Sequence, residues 1–294
     1  MYILGISCYY HDASAALLKD GIIIAAAQEE RFTRIKHDTS FPINAINYCL
    51  KSQNITINNI NYVGFYEKPF IKFERVLSQH LENFPKSFKT FTSSMPSWIN
   101  EKLRIVRTIR KKLKYKKDIL FIEHHMAHAA SSSLISPFKK TAILTTDGVG
   151  EWTTTTYGIG NGNKINLMKE IRFPNSLGLL YSTITAYLGF TVNNAEYKVM
   201  GLSAHGTMNR NKNEYYKKLK QVIDIKDDGS YRLDMDYFVY HYKDRMPSKK
   251  LCKLLDGPIR KPESEITQKH KDIAAALQLI LEDVLTKMLN YISK

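Results

Sequence analysis

The feature that most constrains the fold is a strand-and-hairpin pattern that occurs twice, at residues 2–32 and 141–173. In each copy a mostly apolar strand ends in a polar turn, and a hairpin then leads to a return strand. The hairpins are closed by Asp20-Gly21 and Asn161-Gly162, dipeptides that suit type I′ turns because they tolerate positive φ. Both return strands are expected to end in Arg-Phe, at Arg31-Phe32 and Arg172-Phe173. Two strand-rich units followed by helices predict an α/β fold of duplicated mixed-sheet subdomains.

The remaining elements divide the chain into two predicted subdomains, residues 1–140 and 141–294. The strands are predicted at residues 2–8, 13–19, 22–27, 62–66, 119–122, 141–146, 152–158 and 165–172. The helices are predicted from near residue 42 and at residues 177–188, 213–222 and 273–292, with a helical insertion at about 67–118. A polar stretch with glycines and prolines, residues 227–263, is expected to be irregular.

The formal net charge of +15 raises the question of an anionic partner. Nine Lys or Arg and no acid lie between Lys102 and Lys117, interleaved with apolar residues three or four apart. This spacing predicts an amphipathic helix that buries Leu103, Val106, Ile109 and Leu113. The segment lacks interleaved exposed aromatic residues for base stacking, so a solvated helix face is favoured over a nucleic-acid surface.

The sequence also indicates a compartment. No segment approaches the roughly 20 apolar residues of a membrane helix, and the first residues lack the basic region of a signal peptide. Three widely spaced cysteines make neither a disulfide framework nor a CxxC zinc site. These features predict a cytoplasmic protein without a membrane partner.

The segment Glu123-His-His-Met-Ala-His128 is the most informative one for chemistry. Residues four apart lie on the same face of a helix, so His124 and His128 can direct both imidazoles at one ion. His125 replaces the glutamate of the HExxH protease motif and is expected to point elsewhere. Structurally hydrogen-bonded histidines are the alternative, but a carboxylate, Asp147, ends the next predicted strand and favours a metal site.

Two further segments carry candidate site residues. The glycines of Asp147-Gly-Val-Gly150 allow close approach of the backbone to a phosphate, although such a segment is often only a turn. His11 lies in the turn between the first two strands, where an imidazole could act as general base on a hydroxyl. A surface histidine of a turn is the alternative interpretation.

Together these residues resemble the O-carbamoyltransferases that modify nodulation factors, aminoglycosides and cephems. The resemblance rests on several sequence blocks in the same order. These blocks are His11-Asp-Ala-Ser-Ala-Ala16, Glu29-Glu-Arg-Phe-Thr-Arg-Ile-Lys36-His, His124-His-Met-Ala-His128-Ala, Asp147-Gly-Val-Gly-Glu151, Ser176-Leu-Gly-Leu-Leu-Tyr181, Glu196-Tyr-Lys-Val-Met-Gly-Leu202 and Asp272-Ile-Ala-Ala-Ala-Leu-Gln278. The blocks extend over most of the chain.

The resemblance implies an actin-like ATPase fold built from two ribonuclease H-like halves, like that of the tRNA threonylcarbamoyl-adenosine enzyme. It also implies a reaction in two steps. Carbamoyl phosphate and ATP give carbamoyl adenylate in a separate C-terminal domain, and the carbamoyl group then passes to a hydroxyl of a small molecule or sugar at a metal-containing N-terminal site.

The resemblance also assigns residue roles. His124, His128 and Asp147 are expected to bind a divalent metal ion, with iron implied. His11 is expected to take the proton of the acceptor hydroxyl. Lys36 matches a basic residue next to carbamoyl adenylate, and Lys198 is a further candidate for the same anion. Gly148 and Gly150 are expected to bind the same cofactor because their backbone can approach a phosphate.

Family members are about twice as long as this chain. The second subdomain is therefore expected to be incomplete, and the chain to be a fragment, a split-gene product or a truncated relic. In a split enzyme, a separate C-terminal polypeptide would carry the domain that makes carbamoyl adenylate. The alternative hypotheses are a non-catalytic fragment and an RNA-associated binding protein of the same fold. Steep salt dependence of RNA affinity would support the latter.

Overall fold

The computed structural model describes residues 1–293 and contains two compact units. The first consists of residues 1–76 and 91–127, and the second of residues 77–90 and those from 128 onwards. This division differs from the boundary predicted after residue 140. Residues 128–140 pack with the second unit, where the hydroxyls of Ser133 and Thr141 lie 2.9 Å apart.

The first unit is built on a five-stranded mixed sheet with the order β3-β2-β1-β4-β5. Its strands are β1 (Tyr2–Ser7), β2 (Ser14–Lys19), β3 (Ile22–Gln28), β4 (Tyr62–Phe65) and β5 (Ile119–Phe121). The second strand, β2, runs antiparallel to both β1 and β3, whereas β4 is parallel to both β1 and β5. Leu4 and Ile6, two residues apart on β1, are both buried, because alternate side chains of a strand point to the same face of the sheet.

The Asp20-Gly21 hairpin forms as predicted. Lys19 pairs with Ile22, so the two residues between them make the whole loop. Their φ angles are 51° and 84°, the left-handed values that a type I′ turn needs at both central positions.

Five helices begin in the part of the chain before residue 106. They are α1 (Glu30–Thr33), α2 (Ile43–Lys51), α3 (Pro69–Glu82), α4 (Phe88–Asn100) and α5 (Ile105–Leu113), the last three occupying the predicted helical insertion. The prediction that Arg31-Phe32 ends a strand is wrong, because these residues lie in α1. The strand stops at Gln28 because the buried Glu29 carboxylate turns inward and accepts hydrogen bonds from Asn44 and from the Ala45 amide at the start of α2.

The basic segment at 102–117 is helical over a shorter range than predicted. A 3-10 turn at Lys102–Arg104 precedes α5, and Lys114 ends the helix in the left-handed region with φ 54°. The buried stripe is Ile105, Ile109 and Leu113, whereas the predicted Leu103 and Val106 are only half-buried. The stripe shifts because the 3-10 turn changes the angular position of Leu103 relative to α5.

The sheet of the second unit is antiparallel, with the order β6-β7-β8. Its strands are β6 (Lys140–Thr146), β7 (Thr153–Asn161) and β8 (Lys164–Arg172). Asn161 pairs with Lys164, so the turn lies one residue later than the predicted Asn161-Gly162 centre. Gly162, with φ 56°, takes the first central position, where a two-residue hairpin can use glycine.

The second unit also contains most of the helices. They are α6 (His124–Ser133), which begins in the first unit, and α7 (Leu177–Tyr187), α8 (Glu196–Ser203), α9 (Glu214–Leu219), α10 (Lys249–Leu254) and α11 (Gln268–Ile292). The prediction that residues 227–263 are irregular is wrong in part. The strands β9 (Ile223–Ile225) and β10 (Tyr231–Leu233) form a hairpin, and Phe238 and Leu251 lie in the hydrophobic core. Short elements with scattered apolar residues give no clear periodicity.

The long helix α11 is covered by its neighbours. It packs against α7, α8 and α9 as well as β6 and β7. Its apolar residues are buried or half-buried except for Leu289 and Tyr291. Helices therefore cover the sides of α11 that one sheet face could not. No helix in the described part of the chain has the length and apolar character that a membrane crossing needs.

Candidate functional site

The helix α6 carries the two predicted histidine ligands. The Ala127 amide donates to the Glu123 carbonyl at 2.9 Å, so helical hydrogen bonding extends over the turn that contains His124. His128 lies one turn further along and has a half-exposed side chain. His125 is buried, and it does not belong to the group of potential ligands that contains His124 and His128.

Aromatic rings surround the His124 imidazole. The Tyr66 ring lies 5.6 Å away and the His125 ring 5.8 Å away, both in edge-on arrangements. Burial, reinforced by the negative charge of Glu67, raises the pKa of the Tyr66 hydroxyl. Tyr66 therefore stays neutral at physiological pH and adds no negative charge beside His124.

Asp147 follows the last residue of β6, as predicted. Its Oδ1 accepts a hydrogen bond from the Gly148 amide at 2.6 Å, which fixes the carboxylate. Its Oδ2 lies 3.5 Å from the Nε2 of His128. One carboxylate oxygen is therefore held by the turn and the other faces the histidine.

The structure brings the three predicted ligands together. His124, His128 and Asp147 each offer one ligand atom, and these atoms all lie within 4.8 Å of one another. Two imidazoles and one carboxylate are the donor set of many non-haem Fe(II) sites, and they also suit Zn²⁺. The residues present therefore fit a divalent transition metal ion. Ligand atoms about 2.1 Å from one ion can be at most about 4.2 Å apart, so the cluster needs only a small contraction.

The start of α7 supports the turn that contains Asp147. The Ser176 hydroxyl caps α7 by accepting from the Leu179 amide, and it lies 3.0 Å and 2.7 Å from the carbonyl oxygens of Asp147 and Gly148. A Cβ on Gly178 would lie only 2.6 Å from the Asp147 carbonyl oxygen. Glycine is thus required for α7 to approach the turn this closely. This role was not predicted, because its only signal in the sequence is a glycine in the first turn of a predicted helix.

The two glycines of the turn differ. A Cβ on Gly148 would have its nearest neighbour at 3.9 Å, in the Leu179 side chain, so the backbone there has open space beside it. Gly150 is buried, and its amide donates to the Thr153 carbonyl at 2.9 Å. The phosphate contact remains a prediction for both, and the Gly150 amide already has an acceptor within the turn.

His11 lies in the loop between β1 and β2, with a half-exposed side chain. Its Nδ1 is 2.8 Å from Asp12 Oδ2, and the Nδ1 of His37 is 2.9 Å from Asp12 Oδ1. Partial burial opposes ionisation of Asp12, but the hydrogen bonds from His37 and His11 outweigh it, so the pKa of Asp12 lies below its usual value. The role of His37 was not predicted, because nothing in the local sequence indicates its contact with Asp12.

The two predicted lysines are both exposed. Lys36 lies in the loop after α1, next to His37, and Lys198 lies on the exposed face of α8. Their contacts with an adenylate remain predictions.

The sequence matches the family described as carbamoyltransferase N-terminus over residues 2–294. The chain belongs to this family. An uncharacterized protein of Synechocystis sp. is 46% identical over 98% of the chain and 48% of its own length. Nodulation protein NolNO of Sinorhizobium fredii is 30% identical over 97% of the chain and 39% of its own length.

This carbamoyltransferase N-terminus therefore spans less than half the length of those two relatives. Its fold is of the predicted α/β class, and each unit contains a three-stranded antiparallel meander, β1-β2-β3 in the first and β6-β7-β8 in the second. Among solved structures, YeaZ from Pseudomonas aeruginosa is 12% identical with a TM-score of 0.33, covering 59% of this chain and 66% of its own. The α/β class rests on the two sheets and the helices packed against them, not on this likeness.

Proposed function

We propose that this chain is the part of an O-carbamoyltransferase that binds the acceptor and transfers the carbamoyl group to its hydroxyl. The donor would be carbamoyl adenylate, made from carbamoyl phosphate and ATP, and the acceptor a small molecule or sugar. The observation that carries the proposal is the cluster of His124, His128 and Asp147 in a chain of this family. A second polypeptide or domain corresponding to the other half of the relatives would supply the adenylate.

His124, His128 and Asp147 would hold the metal ion, with iron as the proposed metal. Bound there, a divalent ion would supply Lewis-acid chemistry, neutralising phosphate oxygens and polarising the carbamoyl carbonyl. The fixed Asp147 carboxylate keeps one oxygen directed at His128, so two ligands are pre-organised.

His11 would act on the acceptor. Its Nδ1 lies 2.8 Å from the Asp12 carboxylate, so Nε2 would be the nitrogen that takes a proton. The acceptor oxygen forms a bond to the carbamoyl carbon, the bond from that carbon to the phosphate oxygen breaks, and the hydroxyl proton goes to His11. AMP leaves with the electron pair of the broken bond, and the product is a carbamate ester.

Lys36 and Lys198 would offset the negative charge of the adenylate phosphate. Both are exposed lysines, and an ammonium on a flexible four-carbon side chain is a compact positive charge with three donors. Their contribution is to binding of the donor rather than to proton transfer.

The test supplies chemically prepared carbamoyl adenylate, Fe²⁺ and hydroxyl acceptors to the purified chain and measures AMP and carbamate ester. We expect ester formation by the wild-type chain and its loss in His11→Asn. The chain alone should release no pyrophosphate from ATP and carbamoyl phosphate. Pyrophosphate release by the chain alone would contradict the assignment of adenylate synthesis to the other half. Equal ester formation by His11→Asn would remove His11 from the reaction.

A further inference from the structure

A second group of titratable residues lies outside the candidate metal centre, in the first unit. Asp12 joins two histidines through its two oxygens, with His11 on Oδ2 at 2.8 Å and His37 on Oδ1 at 2.9 Å. Glu30 completes the group, since its Oε2 accepts from the His37 backbone amide at 2.9 Å. None of these four side chains is deeply buried.

Two loops bring these residues together through backbone hydrogen bonds. The Tyr9 amide donates to the Thr39 carbonyl, and the Ala13 amide donates to the Asp38 carbonyl, each at 2.8 Å. The loop between β1 and β2 is thus joined on both sides of Asp12 to the loop after α1. Such pairing fixes His37 relative to Asp12 although 25 residues separate them in sequence.

The backbone at the centre of the group is in an uncommon conformation. Asp12 has φ 50° and His37 has φ 56°, both in the left-handed region where non-glycine residues are strained. Strain of this kind persists only where the surroundings hold it in place, and it clusters at functional sites. The loop pairing is the surrounding structure that maintains it here.

The hydrogen-bond partners distinguish a positioning role from a cation site. Asp12, Glu30 and His37 have ligand atoms within 4.8 Å of one another, a spacing that a metal ion could also use. Each Asp12 oxygen, however, already accepts from an imidazole nitrogen. Glu30 is similarly engaged, by the His37 amide and by Arg31 at 3.0 Å. A cation would have to displace these donors.

We propose that Asp12 is a positioning residue that holds His11 with its Nδ1 protonated, and that His37 fixes Asp12 by donating to its other oxygen. A carboxylate only accepts hydrogen bonds, so both imidazoles must present Nδ1–H to it. His11 then has Nε2 available for the acceptor proton, and its ring cannot turn without losing the hydrogen bond. The lowered pKa of Asp12 agrees with a carboxylate that stays ionised between two donors. This inference rests on the proposed function of His11.

The test reads the tautomers directly. Long-range ¹H–¹⁵N correlation spectra of the 294-residue chain at about pH 8 distinguish Nδ1–H from Nε2–H, with His11 and His37 assigned by substitution. We expect the Nδ1–H form for both in the wild type. In Asp12→Asn the side chain has one acceptor oxygen, so at least one ring should return to a mixture of tautomers. Asp20→Asn, at an exposed carboxylate paired with the N-terminus, is the control and should change neither.

Two variants separate His37 from a merely structural role. His37→Asn keeps an N–H donor near the position of Nδ1 and should preserve the His11 tautomer, whereas His37→Phe removes the donor and should lower the Nδ1–H fraction of His11. Backbone amide spectra should show that the sheet is intact in each variant. An unchanged His11 tautomer in both Asp12→Asn and His37→Phe would overturn the proposal.

Transfer assays distinguish failure of the proposed function from failure of the positioning role, and zinc titration distinguishes the positioning role from a cation site. With carbamoyl adenylate supplied, Asp12→Asn should lower kcat by about 10²–10⁴-fold, with little change in the KM for the acceptor. Absence of transfer by the wild type, with the tautomers as expected, would refute the proposed function but not the positioning. Zinc added to a His128→Ala variant should leave the His11 and His37 ring signals in place. Stoichiometric shifts of those signals would show a cation site and overturn the inference.

Discussion

Replacing Gly178 with alanine perturbs the contact between α7 and the turn that contains Asp147. The added Cβ would lie 2.6 Å from both the Asp147 carbonyl oxygen and the Gly148 amide nitrogen. These neighbours are backbone atoms, so the clash is removed only if α7 and the turn move apart by roughly 0.5–1 Å. Closely packed interiors resist such a shift. Overpacking costs about 1–3 kcal/mol, and the better helix propensity of alanine returns at most about 1 kcal/mol. We expect a net loss of about 1–2 kcal/mol of unfolding free energy.

Such a loss should lower the thermal midpoint by about 2–8 °C, measured by circular dichroism. The displaced turn should also move the Asp147 carboxylate beyond the roughly 0.2 Å that metal–ligand distances tolerate, weakening Co²⁺ binding about tenfold or more. Gly201→Ala is the matched control, since no heavy atom apart from its chain neighbours and the nearby backbone of α8 lies within 4 Å of its added Cβ. That variant should be neutral or up to about 1 kcal/mol more stable. If Gly178→Ala matched the wild type in both midpoint and Co²⁺ affinity, the reasoning about the close approach would be refuted.

Three further predictions concern stability. Glu29→Gln should lower the unfolding free energy by about 1.5–3 kcal/mol in urea denaturation, because the buried Glu29 carboxylate accepts three hydrogen bonds at the start of α2. The control is Glu265→Gln, at an exposed residue, which should change the unfolding free energy by less than about 0.5 kcal/mol. Hydrogen bonds from the Ser40 amide and from the Ser40 and Thr33 hydroxyls lower the pKa of Asp38. The ionised Asp38 therefore stabilises the fold above the unfolded-state pKa of about 3.9, and this stabilisation is lost as the pH falls through the lower folded-state pKa. The stability gap between wild type and Asp38→Asn should therefore narrow below about pH 4, and a constant gap would contradict this. Neutralising four exposed basic residues should shift the unfolding free energy little, by about 0.5 kcal/mol or less per residue, and a large loss of RNA affinity would instead favour the RNA-associated alternative. The four residues are Arg107, Arg110, Lys111 and Lys116.

The features predicted well are those that local chemistry determines. The Asp20-Gly21 hairpin follows from the positive φ that both positions adopt, and the alternation of Leu4 and Ile6 follows from the two-residue period of a strand. The proximity of His124 and His128 follows from helix geometry alone. The contribution of Asp147 required one further step, that a carboxylate at a strand end faces the next element.

The features that were missed depend on contacts between distant residues. Arg31 lies in a helix rather than a strand because Glu29 is drawn to the start of α2, which no local pattern shows. The contact between Asp12 and His37 forms only because two loops pair. The requirement for Gly178 arises where α7 meets the turn after β6. The polar stretch after residue 226 supplies core residues such as Phe238 through packing that its composition hides.

The most direct test of the central claim is the number of Fe²⁺ ions bound per chain, measured by anaerobic equilibrium dialysis. His124, His128 and Asp147 are predicted to hold one ion between them. The wild-type chain should therefore bind one equivalent, and His128→Ala and Asp147→Ala should each lose it. His205→Ala, at an exposed histidine of the second unit, should bind as the wild type does. Undiminished binding of Fe²⁺ by both His128→Ala and Asp147→Ala, or no binding by the wild type, would contradict the account.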